Sequence, residues 1–354
     1  MPQAVLEPLS SSAIFLVVTI DEGAEQAVHD ALPELSGLAK AIGFRDPARR
    51  LSLVTAIGSE AWDRLFSGSR PARLWPFKEV RGERHVAPAT RGDLLFHIRA
   101  STMDRCFELA ARITTVLAGA VTVADEVHGF QYFDNRDLLG FVDGTENPDG
   151  ADAAAAALVG SEDPDFIGGS YVHVQKYLHN MAAWSALPVD EQEKVIGRTK
   201  LDDIEFDDAV PVDEQEKVIG RTKLDDIEFD DAVKPSNSHV ALNVIEDEAG
   251  NELQVLRRNM PFGELGKSEF GTYYIAYSRT PDVTERMLHN MFVGDPPGNT
   301  DRILDFSTAI TGGLFFAPAA DFLDAPPSLP AEVAVKSVEY QGSLSIGSLK
   351  GSLS

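Results

Sequence analysis

The chain has 354 residues, 44% of them hydrophobic and 25% charged, enough apolar mass for one large core or two smaller ones. Its formal net charge of −25 repels phosphate backbones and anionic lipid, which argues against nucleic acid and membrane as partners. The one cysteine, Cys106, excludes an intrachain disulfide and a cysteine-built zinc cluster.

The first element is AIFLVVTI, 13–20, a β-branched apolar run that reads as a buried strand. At eight residues it is too short to span a bilayer, and no Lys or Arg precedes it as in a signal peptide; a cytoplasmic chain is expected. Residues 23–42 read as a helix with Pro33 as a possible break. LSLVTAIG (51–58) and DLLFHIRA (93–100) read as strands, and 101–118 as a helix capped by Ser101 or Thr102, with Cys106 a buried structural thiol. Strand, helix, strand, strand, helix predicts an antiparallel sheet with helices on one face.

The second half echoes that order. GSYVHVQKYL (169–178), LQVLRR (253–258) and GTYYIAYS (271–278) read as strands, SHVALNVI (238–245) as a short helix or strand, and Pro281 opens a further helix. The expected fold is α+β: two similar halves, 1–150 and 151–320, with the Ala/Asp/Gly-rich stretch 149–165 as a linker or surface loop. PVDEQEKVIGRTKLDDIEFDDAV at 188–210 recurs letter for letter at 211–233. Identity without drift marks a recent duplication or a sequence artefact rather than a repeat architecture. Both copies suit the same place, so one is expected to dock and the other to bulge from the surface, at a closure cost that grows slowly with length. Residues 321–341 read as a proline-stiffened tether. The end, 342–354, sets Leu344, Ile346 and Leu349 among glycines and serines, as an extended peptide dropping apolar side chains into pockets would.

Two stretches carry candidate chemistry. In GFVDGTENP (140–148) the glycines permit unusual backbone, so Asp143 either caps a turn or is aimed at a flat ligand. In KPSNSHVALNVI and LQVLRRNMPFG, His239 precedes an apolar stretch, and Arg257, Arg258 and Asn259 crowd a strand end.

These pieces, taken together, resemble the dye-decolourising peroxidases, haem enzymes of α+β-barrel type, and their smaller bacterial subgroup in particular. The family's Gly-x-x-Asp-Gly motif stands at Gly140 to Gly144, its axial histidine at His239, and its Arg-x-Asn-Met motif at Arg257 to Met260; MFVGDPPGNTDRILDFS (291–307) resembles its C-terminal signature. The resemblance covers roughly 10–320, and the gap from Asp143 to His239 exceeds the family's by about one repeat unit. It implies two ferredoxin-like halves, with haem b between the sheet and helices of the C-terminal half. It implies His239 on the iron, with Asp301 behind it and Asp305 as second choice; Asp143 as proton shuttle; Arg257 stabilising charge as the O–O bond breaks; Asn259 positioning peroxide or water; and Gly144 and Arg257 against the cofactor. An acidic pH optimum follows from a carboxylate shuttle. Trp184, Tyr177 and Tyr274 are candidates to pass electrons from bulky donors, and Arg221, Lys176 and His173 to meet the haem propionates. The tail resembles the peptides that load cargo into encapsulin nanocompartments, with Leu344, Ile346 and Leu349 as docking side chains. A homo-oligomer using hydrogen peroxide and one-electron donors inside such a shell is expected. The competing readings are a haem-handling protein with little turnover and a structural cargo protein with a dead haem site.

Overall fold

The computed structural model describes residues 1–144, 147–205 and 234–331. Strands β1 (Ser12–Ile20), β2 (Ser52–Gly58), β5 (Leu94–Ala100) and β6 (Val121–Phe130) form the first half; β3 (Val80–Arg81) and β4 (Val86–Ala87) are a separate small hairpin. The second half contains β7 (Ser170–His179), β8 (Leu256–Arg257), β9 (Met260–Glu264), β10 (Glu269–Ser278), β11 (Ser307–Ala309) and β12 (Gly313–Ala317). All pairings are antiparallel, and the order is β6-β1-β5-β2 in the first half and β12-β7-β10-β8 in the second. Both halves thus have the ferredoxin-like order, fourth strand, first, third, second. They are not separate sheets: β2 pairs with β12, so ten strands run as one sheet. Its far edges approach each other, and a Cβ on Gly129 of β6 would lie 2.7 Å from the Met260 Cβ of β9. The sheet therefore rolls into a barrel.

Rolling explains the unbroken apolar run of β1. Ala13, Phe15 and Val17 face the barrel interior with Val54, Leu95, Val174, Tyr273 and Tyr277. Ile14, Leu16, Val18 and Ile20 face outward beneath helices. Burial on both faces removes the polar alternation of a half-exposed strand. Helices α1 (Glu25–Gly43), α2 (Ser59–Leu65) and α3 (Met103–Val116) cover the outer face of the first half, with Cys106 buried among them. Pro33 lies inside α1 without ending it. Val28, Ala31, Leu32 and Leu35 bury one stripe of that helix, and packing outweighs the missing hydrogen bond.

Two expectations are corrected. The stretch 149–165 is not a plain loop: Gly150–Ala157 is helix α4, because a run of alanines has the highest helix propensity and Ala153 and Ala157 are buried. Nor does a tether begin at 321. After α5 (Met181–Ala186), α6 (Val189–Ile196), α7 (His239–Asn243) and α8 (Asp282–Phe292), helix α9 (Ala320–Asp324) returns to the first half. Phe322 stacks on Trp62 at 5.1 Å, Leu323 is buried, and Ser67 N–H donates to the Ser328 carbonyl at 2.8 Å. The first repeat copy docks as α6 and the segment to residue 205; the second copy, 211–233, and the tail residues Leu344, Ile346 and Leu349 lie outside the described residues.

If 320–331 belongs to the folded body, Leu323→Ala should cost about 2–5 kcal/mol in urea denaturation, as other buried leucines do. A change within about 0.5 kcal/mol would return these residues to the tether.

Candidate active site

Along β7 and β10 successive side chains alternate between the barrel interior and the outer face. The outward set, Gln175, Tyr177 and His179 of β7 with Thr272 and Tyr274 of β10, floors a cavity roofed by α6, α7 and α8. Its apolar lining is Phe141, Val142, Ile196, Met287, Leu288, Met291 and Ile303. It holds about 930 Å³ of empty space, part of it open to solvent, within the usual span of cofactor pockets, roughly 300–1,000 Å³.

His239 opens α7. Ser238 caps the turn, its Oγ accepting from the Ala241 N–H at 3.4 Å. Asp301 is fully buried; its Oδ1 accepts from the Ile303 N–H at 2.9 Å and its Oδ2 meets His239 Nδ1 at 2.7 Å. A carboxylate oxygen there calls for a hydrogen on Nδ1 and leaves Nε2 as the ring atom for a metal. Burial lowers the His239 pKa, but the charge and hydrogen bond of Asp301 outweigh it and the net shift is upward. Asp305 does not share this role, since it pairs with Arg84 and His85.

Three further side chains converge on the same cavity: Asp143, Arg257 and Asn259. Asn259 is a bridge. Its Oδ1 accepts from the Ile275 N–H at 3.1 Å, and its Nδ2 donates to Asp143 Oδ2 at 3.1 Å. The backbone of Arg257 is clamped by Asn147, whose Oδ1 accepts from the Arg257 N–H at 2.7 Å and whose Nδ2 donates to the Arg257 carbonyl at 3.0 Å. The Arg257 Nε is buried with no partner among the described residues. Gly144 does not line this cavity; with Asp143 and Arg257 it borders two smaller clefts alongside, and its φ of +87° lets the chain turn away after Asp143.

The sequence reading missed Asn147, for which the amide following GFVDGTE was the available signal. It also missed Asp137, which lines the cavity. Asp137 Oδ1 accepts from the Gly140 N–H at 2.8 Å and the Phe141 N–H at 3.0 Å, so it shapes the loop that carries Asp143. Burial pushes its carboxyl up to about 7, the two backbone bonds opposing and the Asp143 charge adding to the rise. The docked repeat braces this loop from outside. Arg136 donates to the carbonyls of Gly140 and Lys200, and the Lys200 ammonium sits 5.5 Å from the Phe141 ring centre.

Of the proposed electron relays, Tyr177 and Tyr274 line the cavity, while Trp184 is buried behind Phe141 with its indole N–H on the Leu139 carbonyl. The proposed propionate partners do not meet it. Lys176 points into the barrel and pairs with Asp125 at 3.1 Å, because its position in β7 alternates to the inner face. His173 is buried and edge-on to Phe77, outside the cavity lining. Arg221 lies outside the described residues; its twin in the docked copy, Arg198, borders a cleft shared with His239 and Asp143 and is held by Asp203 and Glu205.

Among the described residues no three His, Cys, Asp or Glu side chains gather to hold a metal alone. One imidazole braced by a carboxylate, beside a largely apolar cavity with an unpartnered guanidinium nitrogen, suits a metal that arrives in its own macrocycle, and so a haem protein. The proton-handling and cationic side chains beside it suit peroxide. Comparison with known proteins gives the family. The description "Dyp-type peroxidase, N-terminal" matches residues 2–131, and "Dyp-type peroxidase, C-terminal" matches 134–210 and 207–322, breaking at the junction of the two repeat copies. A dye-decolorizing peroxidase of Mycolicibacterium paratuberculosis is 64% identical over 99% of this chain and 93% of its own length. The encapsulated DyP-type peroxidase of Mycobacterium smegmatis superposes with a TM-score of 0.85 at 67% identity, covering 93% of this chain and 99% of that one. A DypB variant of Rhodococcus jostii in complex with haem gives 0.83 at 52% identity, covering 92% and 98%. The chain belongs to the Dyp-type peroxidases and is a haem-dependent oxidoreductase.

A raised carboxyl pKa has a sign that can be measured. Folded Asp137 holds its proton from its ordinary unfolded value, near 3.9, up to about 7. Stability from this residue is therefore lost as pH rises through roughly 4–7. In urea titrations the wild-type midpoint should fall across that window relative to Asp137→Asn, and the difference should be flat below it. Parallel curves throughout would place Asp137 in an ordinary environment.

Proposed function

We propose that this chain is an encapsulin-packaged peroxidase in which His239 is the axial ligand and Asp143 and Arg257 handle peroxide. The observation that carries the reading is the convergence of Asp143, Arg257 and the Asp301-braced His239 on one cavity. Haem bound there supplies the redox chemistry that takes electrons from donors to peroxide. The protein supplies the rest. Asp301 fixes the ring of His239 and makes its Nε2 a better donor. Asp143, steadied by Asn259, takes a proton from one peroxide oxygen and returns it to the other. Arg257, held by Asn147 and permanently charged, stabilises the negative charge that develops as the O–O bond breaks. Arg198 is the candidate partner for a propionate, in place of Arg221.

Packaging has separate support. The segment GSLSIGSLKGSLS, 342–354, resembles an encapsulin-loading peptide, and the M. smegmatis relative is described as encapsulated. In this reading Leu344, Ile346 and Leu349 fill apolar pockets of the shell lining, and the enzyme works inside the nanocompartment.

His239→Ala should abolish the Soret band of the reconstituted protein. Arg257→Leu should keep the band and lower peroxide-driven dye oxidation by about 10²–10³. A full Soret band with unchanged rates in Arg257→Leu would refute the role given to it. Removing 342–354 should end co-purification with an encapsulin shell protein while leaving kcat/KM for dye unaltered; retained loading would dismiss the tail. Deleting 211–233 should leave the haem content unchanged, since the docked copy is the first; loss of haem would show that the second copy is needed.

A further inference from the structure

The barrel has a second cavity, on the side of the sheet away from His239. It lies at the mouth between β1, β6, β7, β10 and β12 and holds about 690 Å³ of empty space, part of it open to solvent. Val17, Val174, Tyr273 and Phe315 give it an apolar, partly aromatic wall, and Asp125 and Arg91 stand among its polar lining. Asp125 Oδ1 is used by Lys176 at 3.1 Å, but its Oδ2 is buried and has no hydrogen-bond partner among the described residues. A buried acceptor left unpaired costs free energy and calls for a donor. Tyr273 is buried beside it, and Asp125 is near enough that its charge adds to the rise that burial gives the phenol pKa.

Tyr273 is also the neighbour in sequence of Tyr274, which lines the cavity of His239. Their side chains stand on opposite faces of β10, and consecutive Cα atoms are only ~3.8 Å apart. One strand separates the two cavities.

We propose that the barrel-mouth cavity binds small phenolic one-electron donors, the phenol hydroxyl lying between Asp125 Oδ2 and the Tyr273 hydroxyl, and that their electrons cross β10 to the cavity of His239. This rests on the peroxidase reading of that cavity. The donor O–H gives its proton to Asp125 and its electron to the peroxide-oxidised cofactor. One hydrogen peroxide and two phenols become two waters and two phenoxyl radicals. In this proposal large dyes are oxidised elsewhere.

Ala124 lines the cavity and is exposed, so Ala124→Trp plugs the mouth without touching the core. With peroxide-free holoenzyme, 2-methoxyphenol should bind by calorimetry, and the plug should weaken that binding by at least ~10-fold, as loss of a subsite does. In turnover, kcat/KM for 2-methoxyphenol should fall about as much, while kcat/KM for a sulfonated anthraquinone dye stays unchanged. Tyr273→Phe, which keeps the ring and removes the hydroxyl, should shift the same phenol constants in the same direction. The proposal is overturned if phenol binding is absent or indifferent to the plug, or if phenol and dye rates fall together. Absence of dye oxidation in the wild-type holoenzyme would instead overturn the reading of the His239 cavity.

Discussion

The hydrogen bond between buried Asp301 and His239 decides which ring nitrogen can meet a metal. Every other part of the site is arranged relative to that choice. Asp301 is held by the turn it caps and by its own N–H on the Met291 carbonyl, so α8 and the 301–305 turn together aim a side chain on the five-residue α7. A helix that short has little stability of its own. It is packing from α8, including Asn290 on the Leu242 carbonyl, that keeps it.

The residues proposed to face peroxide are held in the same way. Asp143 comes from a loop, Arg257 from the end of β8 and Asn259 from the two-residue break before β9, and each is fixed by a neighbouring residue. Asn147 holds Arg257 through its backbone, Asn259 ties Asp143 to β10, and Asp137 folds the loop between them. The docked repeat adds Ile196 to the cavity wall and Lys200 to the outside of the loop. That explains why a duplication of this segment is compatible with the site: residues 188–205 of the first copy supply the described contacts, and the two family matches, 134–210 and 207–322, meet near the junction of the copies.

Barrel closure has a consequence for how the enzyme is divided. The strands that floor the His239 cavity are also the wall of the interior cavity, so alternation along β7 and β10 sorts residues between two compartments. Lys176 and Tyr273 go to one, Tyr177 and Tyr274 to the other. A single-residue shift in register would exchange the sets.

Strands β1, β2, β5, β7, β8 and β10, helices α1, α3 and α8 and the doubling of the fold are legible in the sequence, whereas β6 and β12, the fourth strand of each half, are not; His239, Asp143, Arg257 and Asn259 stand out in the sequence as site candidates, and the structure brings them to one cavity. Periodicity marks a strand or a helix locally, and short motifs with special glycines or clustered charge stand out from their surroundings. The alanine-rich α4 was misread because composition alone does not distinguish a linker from a helix whose alanines are buried. The inward turn of Lys176, the clamp of Asn147 on Arg257, the carboxylate of Asp137 in the cavity and the return of 320–331 onto Trp62 were decided only by tertiary structure. Each depends on which face of a sheet a position occupies or on a partner about 50 to 260 residues away, and neither is encoded in a local stretch of chain.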